Sequence, residues 1–258
     1  MTRVFDSPSA WREERRSHVP AGVSLGFVPT MGALHEGHLS LMRRSRAEND
    51  RTLVSIFLNA TQFDDREDFT RYPRPIEQDL ATLGDEGVEY VLAPGERDLY
   101  PDGFRYRVTE IERSHVLEGA FRPGHFDGVL TVVLKLLQIA AADRAYFGEK
   151  DWQQLCLVRG LAEAFFLSTA IVACATVREP DGLASSSRNR RLSPPDRLKA
   201  PELYRALSTS PSADAAARAL RVAGFAVDYV EDQEGRRLAA VRLGGVRLID
   251  NVPVPGRP

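Results

Sequence analysis

Cysteine is nearly absent: the 258 residues hold two, Cys156 and Cys174, each inside an apolar stretch. Two thiols so placed exclude a disulfide framework and read as buried side chains of a protein in a reducing compartment. Charge of one sign is also lacking. Thirty-four basic against thirty-six acidic residues leave a net charge of −2, with both signs spread along the chain. There is then no electrostatic case for nucleic acid or for an anionic membrane surface. No apolar run approaches the ~20 residues that span a bilayer. The opening "MTRVFDSPSAWREERRSHVP" has no continuous hydrophobic region of a secretory signal. A cytoplasmic protein is expected. Two nucleotide fingerprints are missing as well, G-x-x-x-x-G-K-[ST] and G-x-G-x-x-G, which removes support for P-loop and dinucleotide-binding readings.

What is present is a hydrophobic content of 43%, enough for a substantial core, and an alternation of short apolar runs with amphipathic stretches. Strands are expected at 23–30, 51–59, 88–93, 144–148 and 169–177, and helices at 38–49, 75–87, 128–142 and 151–166. In the first of these helices Leu39, Met42 and Ala47 are expected to turn inward. The third carries an apolar face at Val129, Val132, Val133, Leu136, Leu137 and Ala140. The alternation predicts an α/β fold: a Rossmann-like, doubly wound parallel sheet with helices on both faces. Ligands of such sheets bind beyond the C-terminal strand ends. The polar segments "PTMGALHEGH", "NATQFDD" and "FGEKDWQQ" all follow expected strands and so should meet at one edge. After "REPDGLASSSRNRRLSPPDR" (178–197) the texture changes to two helical stretches and a group of strands around a turn. This predicts a division into 1–177 and a smaller α+β C-terminal domain, 178–258, opened by a linker or functional loop.

His35 and His38 in "HEGH" stand at i and i+3. Metalloprotease helices place their histidines at i and i+4, and no third ligand lies at a familiar offset, so zinc is disfavoured. Two packed or surface histidines are an ordinary alternative. The third reading is phosphate binding. A helix starting near Gly37 presents unpaired N–H groups and a partial positive charge, two imidazoles on neighbouring positions add donors, and Gly37 lets a nucleotide approach the backbone.

Taken together, "VPTMGALHEGH", "RYP", "LEG-x-x-RPGHFDGV-x-TVV-x-K", "FGEKDWQQL", "REPDGLA-x-SSRN" and "RLIDN" occur in collinear order and resemble the pantothenate synthetases, within the H-x-G-H nucleotidyltransferase superfamily. The resemblance implies condensation of pantoate with β-alanine at the expense of ATP, through a pantoyl adenylate, with release of AMP and pyrophosphate. It implies a C-terminal lid and a homodimer. His35, His38, Lys150 and Arg188 fall on the family's catalytic positions. ATP contacts carry over to Met31, Gly148, Lys150, Asp151, Ser186, Ser187 and Arg188. Pantoate contacts carry over to Gln62, Gln154, Asn59 and Tyr72. Magnesium (Mg2+) would ride on the ATP phosphates, with Asp79 as the candidate protein ligand. His125 and Arg122 have a structural explanation in a Pro123–Gly124 turn before a helix starting near Gly128.

The chain departs from the pattern at Ala60, where the family usually has proline, and at Thr61, usually apolar. It departs also at Ser185 and Arg191, and only 69 residues follow Asn189. These changes fall near the acid pocket and the lid. They leave a second reading open: a paralogous adenylate-forming ligase acting on a different small acid or amine.

Overall fold

A computed structural model describes residues 2–64 and 66–254, for Arg66 the backbone only. The chain divides into two compact units. One comprises residues 1–148 and 153–174; the other comprises 149–152 and 175–258. Among the described residues no helix is long and apolar enough to cross a membrane.

The first unit is built on six strands: β1 (Arg3–Phe5), β2 (Leu25–Thr30), β3 (Arg51–Ile56), β4 (Tyr90–Leu92), β5 (Arg144–Gly148) and β6 (Ala170–Cys174). They lie in the order β1-β4-β3-β2-β5-β6, and every pair is parallel. β2 is central and buried at five of its six positions, as the unbroken run "LGFV" requires of a strand covered on both faces. Beyond β2 the chain moves to one side, through β3 and β4, and later to the other, through β5 and β6. The topological switch point therefore lies between β2 and β5.

The helix His125–Ala140 buries twelve of its sixteen residues, including the whole apolar face read from the sequence. Each fully buried leucine or valine there contributes ~1.5–3 kcal/mol of transfer free energy. It begins three residues earlier than expected, because Gly124, at φ +79°, turns the chain so that His125 opens the first turn. The helix Glu36–Glu48 buries Leu41, Met42 and Ser45; Leu39 is half-buried and Ala47 is exposed, contrary to expectation. The inward face is set by close packing on β2. A Cβ on Gly26 would lie 2.1 Å from Ser45 Oγ, so a hydroxyl rather than a methyl fills the contact, and that hydroxyl bonds Thr52 Oγ1 at 2.8 Å. At the far edge Trp11, on the helix Pro8–His18, packs against Phe5 and Tyr90 and donates its indole N–H to Ile139 O at 3.1 Å.

The second unit is an antiparallel meander of β7 (Ala226–Gln233), β8 (Arg236–Leu243) and β9 (Val246–Pro253). The helices Glu202–Thr209 and Ala213–Val222 cover it, and Leu203, Leu207, Leu220, Phe225 and Val241 form its core. Ser212 caps the second helix by accepting Ala215 N–H at 3.2 Å. β8 turns into β9 through Gly244 and Gly245, both at positive φ, as a two-residue hairpin loop demands.

Candidate active site

Two loops of the first unit leave the C-terminal ends of the adjacent parallel strands β3 and β2, and so open at one edge beside the switch point. The loop after β2 is shaped by its backbone. Gly32 (φ +77°) and Ala33 (φ +50°) both lie in the left-handed region, and Asp79 holds them there. Its carboxylate accepts the N–H of Ala33 at 2.7 Å and of Leu34 at 2.9 Å. The chain then enters the helix Glu36–Glu48 with His35 as its N-cap, Nδ1 accepting Gly37 N–H at 3.2 Å. An accepting Nδ1 puts the proton of a neutral imidazole on Nε2, a donor suited to an anion. The His38 ring lies 4.1 Å from that of His35, centroid to centroid. Two imidazoles, the first-turn amides and the positive end of the helix dipole thus share one place.

Asp79 is 3% exposed and spends both oxygens on backbone amides. The residue expected to meet magnesium thus organises the loop after β2. Among the described residues no group of three or more His, Cys, Asp or Glu side chains could hold a metal ion.

The loop after β3 forms a short 3-10 turn, Ala60–Gln62, preceded by the buried Asn59. Asn59 Nδ2 donates to Gly128 O (3.1 Å) and to Gln62 Oε1 (3.0 Å), while its Oδ1 accepts from Tyr100 OH (2.7 Å) and Thr61 Oγ1 (2.9 Å). Burial pushes the Tyr100 hydroxyl up to about 12, so it stays a donor. Gln62 Nε2 lies 3.1 Å from Met31 Sδ, which joins this loop to the one after β2. Tyr72 is buried edge-on against Phe63, ring centroids 5.7 Å apart. Met31, Asn59 and Gln62 are thus brought together, with Tyr72 one aromatic ring away. Gln154 is half-buried on the first turn of the helix Trp152–Ala164, and no described hydrogen bond or ring contact joins it to that group. Its neighbour Gln153 is the buried glutamine; it accepts Glu118 N–H and donates to the carbonyls of Arg113 and Val116, fixing the 113–118 segment. Gly148 ends β5, and a Cβ there would meet nothing within 4 Å, so packing alone does not demand glycine.

Within the second unit, Lys150 and Asp151 sit in the short turn Glu149–Asp151. Asn251 on β9 donates its amide to the carbonyls of Glu149 (2.8 Å) and Lys150 (3.0 Å). Arg236 on β8 reaches Asn251 Oδ1 (2.7 Å) and Glu149 Oε2 (2.6 Å), its guanidinium 4.0 Å over the Trp152 ring. The lysine thus projects from a backbone pinned by "RLIDN". Asp250 is buried; burial pushes its carboxyl up against the pull of Arg178, which grips it with two bonds of 2.7 and 3.0 Å. Ser186 caps the turn Ser187–Arg191 through Arg188 N–H (3.3 Å), and buried Asn189 ties that turn to Ala184 O and Glu179. Sequence reasoning named Ser186, Ser187 and Arg188 but missed Arg236, Tyr100 and the hold of Asp79 on the loop after β2. For Asn251 and Asp250 the "RLIDN" motif was the available signal.

A doubly wound parallel sheet with imidazoles at a helix N-terminus beside its switch point defines an α/β enzyme of the nucleotide-binding kind. The comparisons narrow that class. Residues 3–253 match the family model described as pantoate-beta-alanine ligase. A pantothenate synthetase of Bdellovibrio bacteriovorus is 51% identical over 98% of this chain and 100% of its own. One of Cereibacter sphaeroides is 52% identical over 91% and 93%. Among solved structures, the pantoate-beta-alanine ligase of Francisella tularensis, complexed with beta-gamma ATP and beta-alanine, superposes with a TM-score of 0.93 at 40% identity, covering 98% of both chains. The chain belongs to the pantoate–β-alanine ligase family.

Proposed function

We propose that the protein joins pantoate to β-alanine, consuming ATP, in two displacements. A carboxylate oxygen of pantoate attacks the α-phosphorus in line; that P–O bond forms as the bond to the β-phosphate breaks, giving pantoyl adenylate and pyrophosphate. The β-alanine amine then attacks the acyl carbon, forming the amide as the bond to AMP breaks. Little of this needs a protein nucleophile; positioning and charge stabilisation do most of the work.

One observation carries the reading: Gln62 of the loop after β3 touches Met31 of the loop that presents His35 and His38. An amide able to hold an acid and a helix terminus able to hold a triphosphate thus adjoin. His35 Nε2 and His38, with the first-turn amides, are assigned to the phosphates and to the charge that develops on pyrophosphate. Lys150 and Arg188 are assigned to the same charge, with Ser186 and Ser187 beside Arg188. Gly148 and Asp151 are assigned to the ribose. Asn59, Gln62, Gln154 and Tyr72 are assigned to the acid. Magnesium enters with ATP as part of the substrate, carried by the phosphates. A homodimer in the cytoplasm, and a division of labour at residue 177, belong to the same reading.

The test is ATP–pyrophosphate exchange across a panel of small carboxylic acids. Exchange with pantoate alone is the expected result. Exchange with another acid and not with pantoate replaces this reading by the paralogous ligase that Ala60 and Thr61 suggest. No exchange with any acid overturns both.

A further inference from the structure

The segment Arg122–Gly128, "RPGHFDG", is absorbed by none of the roles above, although the side chains of Arg122 and His125 both reach the loop after β3, Arg122 lying also 3.8 Å from Glu118 Oε2. The main-chain carbonyl of Gln62 accepts two bonds: from His125 Nδ1 at 2.8 Å and from Arg122 Nη2 at 3.2 Å. Arg122 also donates through Nη1 to His125 Nε2 (3.1 Å) and through Nε to Asp64 Oδ1 (2.8 Å), so one guanidinium straddles both sides of residue 62. The arginine fixes the imidazole's tautomer: Nε2 accepts, so Nδ1 carries the proton that goes to Gln62. One helical turn on, Gly128 O takes the Asn59 amide, and a Cβ at Gly128 would lie 2.3 Å from Thr61 O and 2.7 Å from Gln62 N. The loop therefore lies directly on the first turn of the helix. The 3-10 turn Ala60–Gln62 buries no residue of its own, so its position is dictated from outside. His125 is buried and the Arg122 side chain only 13% exposed, so the clamp is shielded from water.

We propose that Arg122 and His125 are positioning residues for the acid pocket: they clamp Gln62 by its main-chain carbonyl and so present its side-chain amide in one orientation to the substrate carboxylate. The proposal rests on the assignment of Gln62 to the acid. Had the pair served only to stabilise the fold, it could have gripped any part of the loop. It grips the residue whose side chain faces Met31 and leaves that side chain to other partners. The clamp acts on the acid more than on ATP, because Asp79 holds Ala33 and Leu34 of the loop after β2 independently of it.

Steady-state kinetics on the full-length protein test this with H125L, H125N, R122K, Q62A and the double variant Q62A/H125L. Loss of the carbonyl's main donor in H125L is expected to raise KM for pantoate about tenfold and KM for ATP far less. H125N, which keeps a donor, is expected to recover most of that loss. In the Q62A background H125L is expected to add no further rise, because the clamp then has no amide to aim. Should H125L fail to fold, R122K asks the same question: lysine keeps a charge beside Asp64 but cannot bridge His125 and Gln62 together. Equal shifts in both Michaelis constants, or a full H125L effect persisting without Gln62, overturn the clamp. Should Q62A alone move both constants alike, the assignment of Gln62 falls, and the clamp's purpose with it.

Discussion

The turn before His35 and the loop around Gln62 leave neighbouring strands, yet they are held by opposite means. The first is a backbone path: two left-handed residues, one buried carboxylate taking two amides, and a helix start. The second is a mesh of side chains in which Asn59, Thr61, Gln62, Tyr100, Arg122 and His125 satisfy one another. A backbone-defined site depends on few residues and fails wholly when one is lost. A mesh tolerates exchange if the new group finds a partner. The Thr61 hydroxyl shows such an uptake, being bonded by Asn59 and Tyr100.

The contrast can be broken from the stronger side. Asp79→Ala removes two charge-assisted bonds at a buried position and is expected to cost about 3–4 kcal/mol of stability in chemical denaturation. A loss under 1 kcal/mol would show that the turn holds itself. On the mesh side, His125 supplies a pH signature. Burial, then the neighbouring Arg122, lowers its pKa to about 4 despite the opposing pull of Glu118 and Asp64. The unfolded chain then binds a proton between about pH 6.5 and 4 that the folded chain refuses, so the neutral ring's contribution is complete above that window and fades as pH falls through it. The span is worth about 3 kcal/mol. H125N should flatten the stability profile between those values relative to the parent protein; parallel profiles would refute the assignment.

Smaller effects sharpen the comparison. His38→Ala is expected to slow pyrophosphate exchange by about a hundredfold, the scale of one lost transition-state donor, with stability retained. Gly128→Ala drives a methyl onto the Thr61 carbonyl and should cost about 2 kcal/mol, raising KM for the acid before that for ATP. Ala60→Pro is the mildest. Asn59 at φ −84°, ψ 101° already has the extended backbone a following proline prefers. A gain of about 0.5–1 kcal/mol in thermal unfolding is expected; a loss would mean that the turn needs the residue-60 N–H.

The parallel sheet and its crossover helices were legible because buried strands read as unbroken apolar runs and the helix His125–Ala140 as a 3.6-residue period. The N-terminal edge was not: β1 has three residues, too few for any period, and the helix Pro8–His18 buries only Trp11 and Glu14, the latter paired with Arg3. Motif order located the histidines, Gln62 and Lys150. It could not reveal Asp79 as the loop's organiser, because a carboxylate on an expected helix looks solvated until the backbone bends toward it. Nor could spacing show that Glu149–Trp152 group with the second unit. That follows from Asn251, about a hundred residues away, and no local pattern carries such a distance.

The Asn251 amide has one further consequence. Side chains along a strand alternate between faces, so a slip of one position between β8 and β9 would swing that amide away from the Lys150 carbonyl. The tight reversal at Gly244 and Gly245 fixes that alignment, and a Cβ at Gly244 would meet Asp196 Oδ2 at 2.1 Å. Lengthening this remote bend by a single amino acid is therefore expected to loosen the Glu149–Lys150 backbone without altering any residue of that turn.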